Sequence, residues 1–160
     1  MRSRFRHEGR TPHAPFPSDV VSYLVDTNVF SELVKTKPND SVVKWLRDHE
    51  PELYISTVTI GEIRRGIEGL SVGKRKAGLQ TWLTGLCARM EGRILSFNTS
   101  TAHVWGQLVA RCDKGGITLP TADSQLAATA RRHGLTMVTR NVADFKYAGV
   151  KLLNPFQASL

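Results

Sequence analysis

The chain has 160 residues, 41% of them apolar, with 22 Lys and Arg against 14 Asp and Glu, a formal net charge of +8. This length supports one domain with a real core, and a positive surplus is unusual for a small enzyme of uncharged metabolites, so a polyanionic partner is expected. No apolar run is long enough to span a bilayer, the start lacks the apolar centre of a secretory signal, and Cys87 and Cys112 show neither zinc-ligand spacing nor disulfide density; a cytoplasmic protein with reduced thiols and no membrane partner is expected.

Residues 1–19 set Arg2, Arg4, Arg6 and Arg10 among Pro12, Pro15 and Pro17 with almost no apolar periodicity, and read as a disordered extension ahead of a single domain over 20–160. The remaining body keeps 18 basic against 12 acidic side chains, so the basic character belongs to the domain. A first strand ends its apolar run at Asp26. Val29, Phe30, Leu33 and Val34 then recur at helical spacing, and a second helix through Val42, Val43, Trp45 and Leu46 follows the break at Pro38-Asn39-Asp40. A strand at 53–56 leads into a helix with the stripe Ile60, Ile63, Ile67 and with Glu62 on its flank. A helix centred on Leu79, Trp82, Leu83 and Leu86 precedes a strand at 93–97, and the next helix runs from about Thr99 to Lys114, stopping at Gly115-Gly116. The helix Thr121 to His133, ended by Gly134, is followed by a strand at 136–139, a short turn, and a last strand near 150–153. The alternation predicts a parallel sheet with helices on both faces.

Four acids fall at one edge of such a sheet. Asp26 and Asp144 lie beyond strand C-termini, and Glu62 and Asp123 lie near helix N-termini, ends that a right-handed crossover brings together. Taken singly each has a plainer role: Asp26 as a helix cap, Glu62 paired with Arg65, Asp123 stabilised by the free amides of a helix start, Asp144 holding a turn. Asp123 is unusual in sharing a helix face with Leu126, Ala127 and Ala130, which turns its carboxylate toward the core. Four structural acids have no common reason to gather where open sheets bind ligands, and their mutual repulsion calls for a divalent cation.

The residues that carry these positions, Tyr23-Leu24-Val25-Asp26-Thr27-Asn28-Val29-Phe30-Ser31-Glu32, Thr59-Ile60-Gly61-Glu62-Ile63-Arg64-Arg65-Gly66-Ile67, Leu119-Pro120-Thr121-Ala122-Asp123-Ser124-Gln125-Leu126-Ala127-Ala128-Thr129-Ala130, and His133-Gly134-Leu135-Thr136-Met137-Val138-Thr139-Arg140-Asn141-Val142-Ala143-Asp144-Phe145, resemble the PIN domain, specifically VapC-type toxin ribonucleases, over 21–154. The resemblance implies a three-layer α/β/α sandwich with a central parallel sheet and an acidic pocket for magnesium or manganese. It implies an endoribonuclease that cuts structured RNA, tRNA or rRNA, to arrest translation, restrained by a small antitoxin whose Arg or Lys enters the pocket. By the same resemblance Asp26 and Asp123 are the principal metal ligands, Glu62 and Asp144 complete the site directly or through water, and Asn28, Thr139 and Asn141 support it. The chain begins some twenty residues ahead of the family's usual start. A homodimer is expected, and segment 73–89 is a candidate for a dimer or antitoxin face.

Oxygen ligands and a divalent cation suit phosphodiester cleavage in a chain without a matched Cys-His or Ser-His pair. Arg64, Arg65, Lys74, Arg75, Lys76 and Arg140 are candidates for backbone phosphates. Trp45, Trp82 and Trp105 fit core packing or an oligomer surface better than base stacking, and His103 and His133 receive no catalytic role. Two alternatives stand beside the toxin: a PIN-like RNA-processing nuclease outside any toxin-antitoxin pair, and a receiver-like domain phosphorylated on Asp26. A non-catalytic binding module on the same fold would not need the four acids.

Overall fold

The structure, a computed structural model, describes residues 20–157, so the extension expected over 1–19 lies outside the described residues. Five strands, β1 (Tyr23–Val25), β2 (Leu53–Ser56), β3 (Ile94–Leu95), β4 (Thr136–Val138) and β5 (Leu152–Leu153), form one sheet in the order β3-β2-β1-β4-β5. All four pairings are parallel. The α-helices among the described residues are α1 (Thr27–Phe30), α2 (Asp40–Asp48), α3 (Thr57–Glu68), α4 (Lys74–Arg89), α5 (Thr99–Lys114), α6 (Thr121–His133) and α7 (Val142–Phe145).

Neighbouring residues on a strand point to opposite faces, and the two cores divide accordingly. Val25 and Val138 bury into one cluster with Val29, Val42, Leu46, Ile63, Ile67, Leu83 and Leu86, which come from α1 to α4. Leu24 and Met137 bury into the other with Leu108, Leu126, Ala127, Ala130 and Phe145, from α5 to α7. This is the three-layer sandwich expected from the sequence. Among the described residues no helix is long and apolar enough to cross a membrane.

Local chemistry sets the element boundaries. Side chains of Asn39, Ser56 and Asn98 cap α2, α3 and α5 by accepting backbone N–H bonds, and Gly134 ends α6 in the left-handed region at φ +65°. One expectation is corrected: the apolar spacing from Val29 to Val34 is not one continuous helix. The chain makes the single α turn of α1 and then a 3-10 turn at Ser31–Val34, which leaves Leu33 exposed. Inside that turn Glu32 is buried and accepts a hydrogen bond from the backbone N–H of Asn39 at 2.9 Å, so the segment folds around an acid rather than on an apolar stripe.

The tryptophans are packing residues. Trp45 stacks on His49 at 4.4 Å and meets Tyr23 edge-on at 5.0 Å, while Trp105 donates from Nε1 to Ser124 Oγ at 2.8 Å. Trp82 packs against the first core.

Candidate active site

From β1 the chain moves outward to β2 and β3, then returns to lay β4 on the other side of β1. The loops leaving the C-terminal ends of β1 and β4 therefore part in opposite directions and open a crevice, the place where open parallel sheets bind ligands. Asp26 follows β1 and Thr139 follows β4, and the Thr139 hydroxyl donates to Asp26 Oδ2 at 2.8 Å across the crevice. Thr139 is fully buried and also accepts from the Asn141 N–H at 3.0 Å. Asn28 donates to Asp26 Oδ2 at 3.3 Å and accepts the Arg140 N–H at 3.3 Å, so it links both loops.

Asp26 Oδ1 accepts the Thr27 N–H at 2.7 Å, which fulfils the capping role expected of it, yet the residue is only 5% exposed and caps a single turn. Burial raises its carboxyl above the ordinary range, against the pull of Thr139 and Thr27, and the charge of Glu62 adds to the rise. Glu62 occupies the second turn of α3 and is held by the Thr27 hydroxyl at 2.5 Å rather than by Arg65.

Asp123 lies in the first turn of α6 and Asp144 in the first turn of α7. Among the described residues neither carboxylate has a hydrogen-bond or ion-pair partner, although Asp123 is partly buried. Its carboxyl is pushed up to about 6, first by burial and then by the charges of Asp26, Glu62 and Asp144. A helix N-terminus ordinarily pulls a carboxyl the other way, so burial together with the neighbouring charges outweighs the dipole. The four acids thus share one electrostatic neighbourhood. Leu126, Ala127 and Ala130, one and two turns on, are fully buried, which places the carboxylate against the core as its spacing predicts.

Among the described residues no three His, Cys, Asp or Glu side chains stand close enough together to enclose one ion. Magnesium, which keeps several waters and takes only one or two carboxylates, fits such a donor set; an ion that needs a full protein cage does not. Two residues of this site were not assigned roles from the sequence. Thr27 belongs to the Asp-Thr-Asn triplet, but its bond to Glu62 spans 35 positions. Glu32, 3% exposed, bonds the Lys35 ammonium, which holds its carboxyl below the usual range. Asn141 contributes only its backbone N–H to these bonds. Of the basic candidates, Arg64 pairs with Glu68 at 3.3 Å and Lys76 reaches Glu68 at 3.5 Å.

Fold and site together define a parallel α/β/α domain with an acidic crevice between its first and fourth strands. A family model described as the PIN domain matches residues 23–150. The VapC ribonuclease Y4jK of Sinorhizobium fredii is 35% identical over 84% of this chain and 97% of its own. Toxin FitB of Neisseria gonorrhoeae is 37% identical over 83% of this chain and 97% of its own. A solved structure of FitAcB from the same organism superposes with a TM-score of 0.81 at 36% identity, over 85% of this chain and 99% of that one. The chain belongs to the PIN domain family, and within it to the VapC type.

Proposed function

We propose that this protein is a magnesium- or manganese-dependent endoribonuclease, the toxin of a type II toxin-antitoxin module, which cuts structured RNA such as tRNA or rRNA and so inhibits translation. The observation that carries the reading is the electrostatic coupling of Asp123 to Asp26, Glu62 and Asp144 in the crevice between β1 and β4. Its ribonuclease and toxin parts are supported by what the related Sinorhizobium and Neisseria proteins are named.

In this reading Asp26 and Asp123 are the principal metal ligands, and Glu62 and Asp144 complete the catalytic set directly or through water. A bound divalent cation supplies charge stabilisation at the scissile phosphate and lowers the pKa of water. The chain's own residues do the rest. Thr139 and Asn28 fix the orientation of the buried Asp26, and Thr27 fixes Glu62. Asn141 steadies the loop beyond β4 through its bond to Thr139. Asp123, with no competing partner among the described residues, keeps both oxygens available to a ligand. The domain's net positive charge gathers the RNA backbone around this acidic centre.

A toxin made by its own cell needs a neutralising partner, and an acidic crevice offers a cationic side chain of a cognate antitoxin a charge-assisted seat. The reading includes a cytoplasmic homodimer as the working form. A nuclease outside any toxin-antitoxin pair would share the chemistry but not the toxicity.

The test is cleavage of a structured RNA by the purified chain. Cutting is expected with magnesium or manganese and abolished by chelator. Asp26→Asn and Asp123→Asn are each expected to fold and to lose activity by a hundredfold or more, on the order of 3 kcal/mol of transition-state stabilisation. Cleavage at the wild-type rate by either variant overturns the assignment.

A further inference from the structure

Beside the acidic crevice stands a cation. Arg140 directly follows Thr139, and its backbone N–H is bonded to Asn28, which also bonds Asp26. Its guanidinium lies over the Phe156 ring, 4.6 Å from the centroid, and its charge reaches Glu32. The side chain is exposed, and among the described residues it forms no ion pair. Among the described residues Lys35, Lys44, Arg64, Lys76 and Arg93 pair with a carboxylate and most other Lys and Arg do not, so what marks Arg140 is its place next to Thr139 and the ring beneath it. Arg140 is thus a cation fixed in orientation by a ring while its forked N–H donors stay available.

Next to it a cleft of about 420 Å³ opens between α2 and the segment after β5, lined by Ser41, Lys44, Trp45, Asn154 and Gln157 among others. Its size is that of a small-ligand site; its amide and hydroxyl groups share the lining with the apolar surfaces of Trp45, Leu153 and Pro155 and with Asp48, whose carboxylate is paired with Lys44. Asn154 joins the two features: Nδ2 donates to the Arg140 carbonyl at 3.5 Å, and Oδ1 accepts the Phe156 N–H at 3.0 Å. A hydrogen-bonded path therefore runs from Asp26 through Asn28 and Arg140 to Asn154 at the cleft wall.

We propose that Arg140 grips a backbone phosphate of the RNA beside the scissile one and that the α2 cleft receives the nucleotide attached to it. The inference rests on the ribonuclease reading and deepens it with a specificity subsite. A planar guanidinium binds phosphate through two parallel hydrogen bonds, and side-chain amides match the mixed donors and acceptors of a base edge. Gln157 is the residue best suited to read the base, since Asn154 is already engaged with backbone groups.

The experiment measures binding, so it does not depend on turnover. The Asp123→Asn protein, which cannot cut in the proposed reading, serves as parent and is titrated with fluorescein-labelled decamers of adenylate, cytidylate and uridylate at several salt concentrations. Adding Arg140→Ala is expected to weaken every probe about tenfold and to flatten the salt dependence by about 0.7 in log–log slope, the contribution of one phosphate on a single strand. Arg140→Lys is expected to retain the slope and to recover only part of the affinity, because the charge survives and the fork does not. Gln157→Ala is expected to leave the slope alone and to change the ranking of the three probes. Both sites are exposed, and unchanged melting curves verify that the variants fold.

Arg140→Ala with the parent's affinity and slope overturns the subsite. So does a variant that binds RNA normally but no longer co-purifies with the small protein encoded beside it, which assigns the face to that protein. If the parent binds no probe and the wild-type chain cuts no RNA, the ribonuclease reading fails and the subsite with it.

Discussion

Asp123 shows how far a single residue can be reasoned. Its carboxyl, pushed up to about 6, makes the folded chain hold a proton that the unfolded chain releases near the ordinary value of 3.8. The stabilisation from that proton is fully present below about pH 4 and is lost as pH rises through about 6. In chelator at about pH 8, Asp123→Asn is therefore expected to be as stable as wild type or more stable, by up to about 1–2 kcal/mol once partial solvent screening is allowed for, and at about pH 4 the advantage should vanish. Magnesium is expected to raise the wild-type melting midpoint and to do much less for the variant, since a ligand stabilises only a state that binds it. Melting curves at the two pH values, each with chelator and with magnesium, make the comparison; a variant that melts well below wild type at high pH in chelator, with equal magnesium responses, would show Asp123 to be structural. That the four acids fall in one neighbourhood could be read from the sequence because strand ends and helix starts converge in this topology. Thr27 and Glu32 could not, because their roles depend on bonds to Glu62 and Asn39 that no local pattern encodes.

Among the elements, all five strands and the helices α2 to α6 were readable, since apolar period, caps and glycine stops agree there. The miss was the stretch after β1. Its four apolar residues satisfy a helical stripe on paper, but a buried Glu32 bonded to Asn39 bends the chain into a 3-10 turn, and periodicity cannot see an inward-facing acid. The short α7 was read only as a turn, being a single turn long. At the end of α6, Gly134 is left-handed and a methyl group there would meet nothing within 4 Å, so Gly134→Ala probes conformation alone. The expected cost is about 1 kcal/mol, a midpoint drop of roughly 2–4 °C, with RNA cleavage unchanged. Calorimetry paired with the cleavage assay checks both halves; a loss of activity at full stability would mean that this turn has a role beyond ending the helix.

For the whole molecule, the described residues begin with Val20 and Val21, both exposed. A chain started at Val20 is expected to retain activity and melting midpoint, whereas one started after Val25 loses β1 and the support for Asp26. A large loss from the first truncation would make residues 1–19 an integral element. Expression of the full chain alone is expected to stop growth, and the small protein encoded beside it to restore it; normal growth at a detectable level of wild-type protein counts against the toxin reading. The hydrogen bond from Thr139 to Asp26 bridges 113 positions, and Asp144 is added only near the end of the 160-residue chain. Asp26 and Glu62 leave the ribosome early but have no opposite wall until β4 slots in beside β1. In the proposed reading a chain abandoned partway through synthesis lacks the second wall of its site, so unfinished copies are expected to cut no RNA.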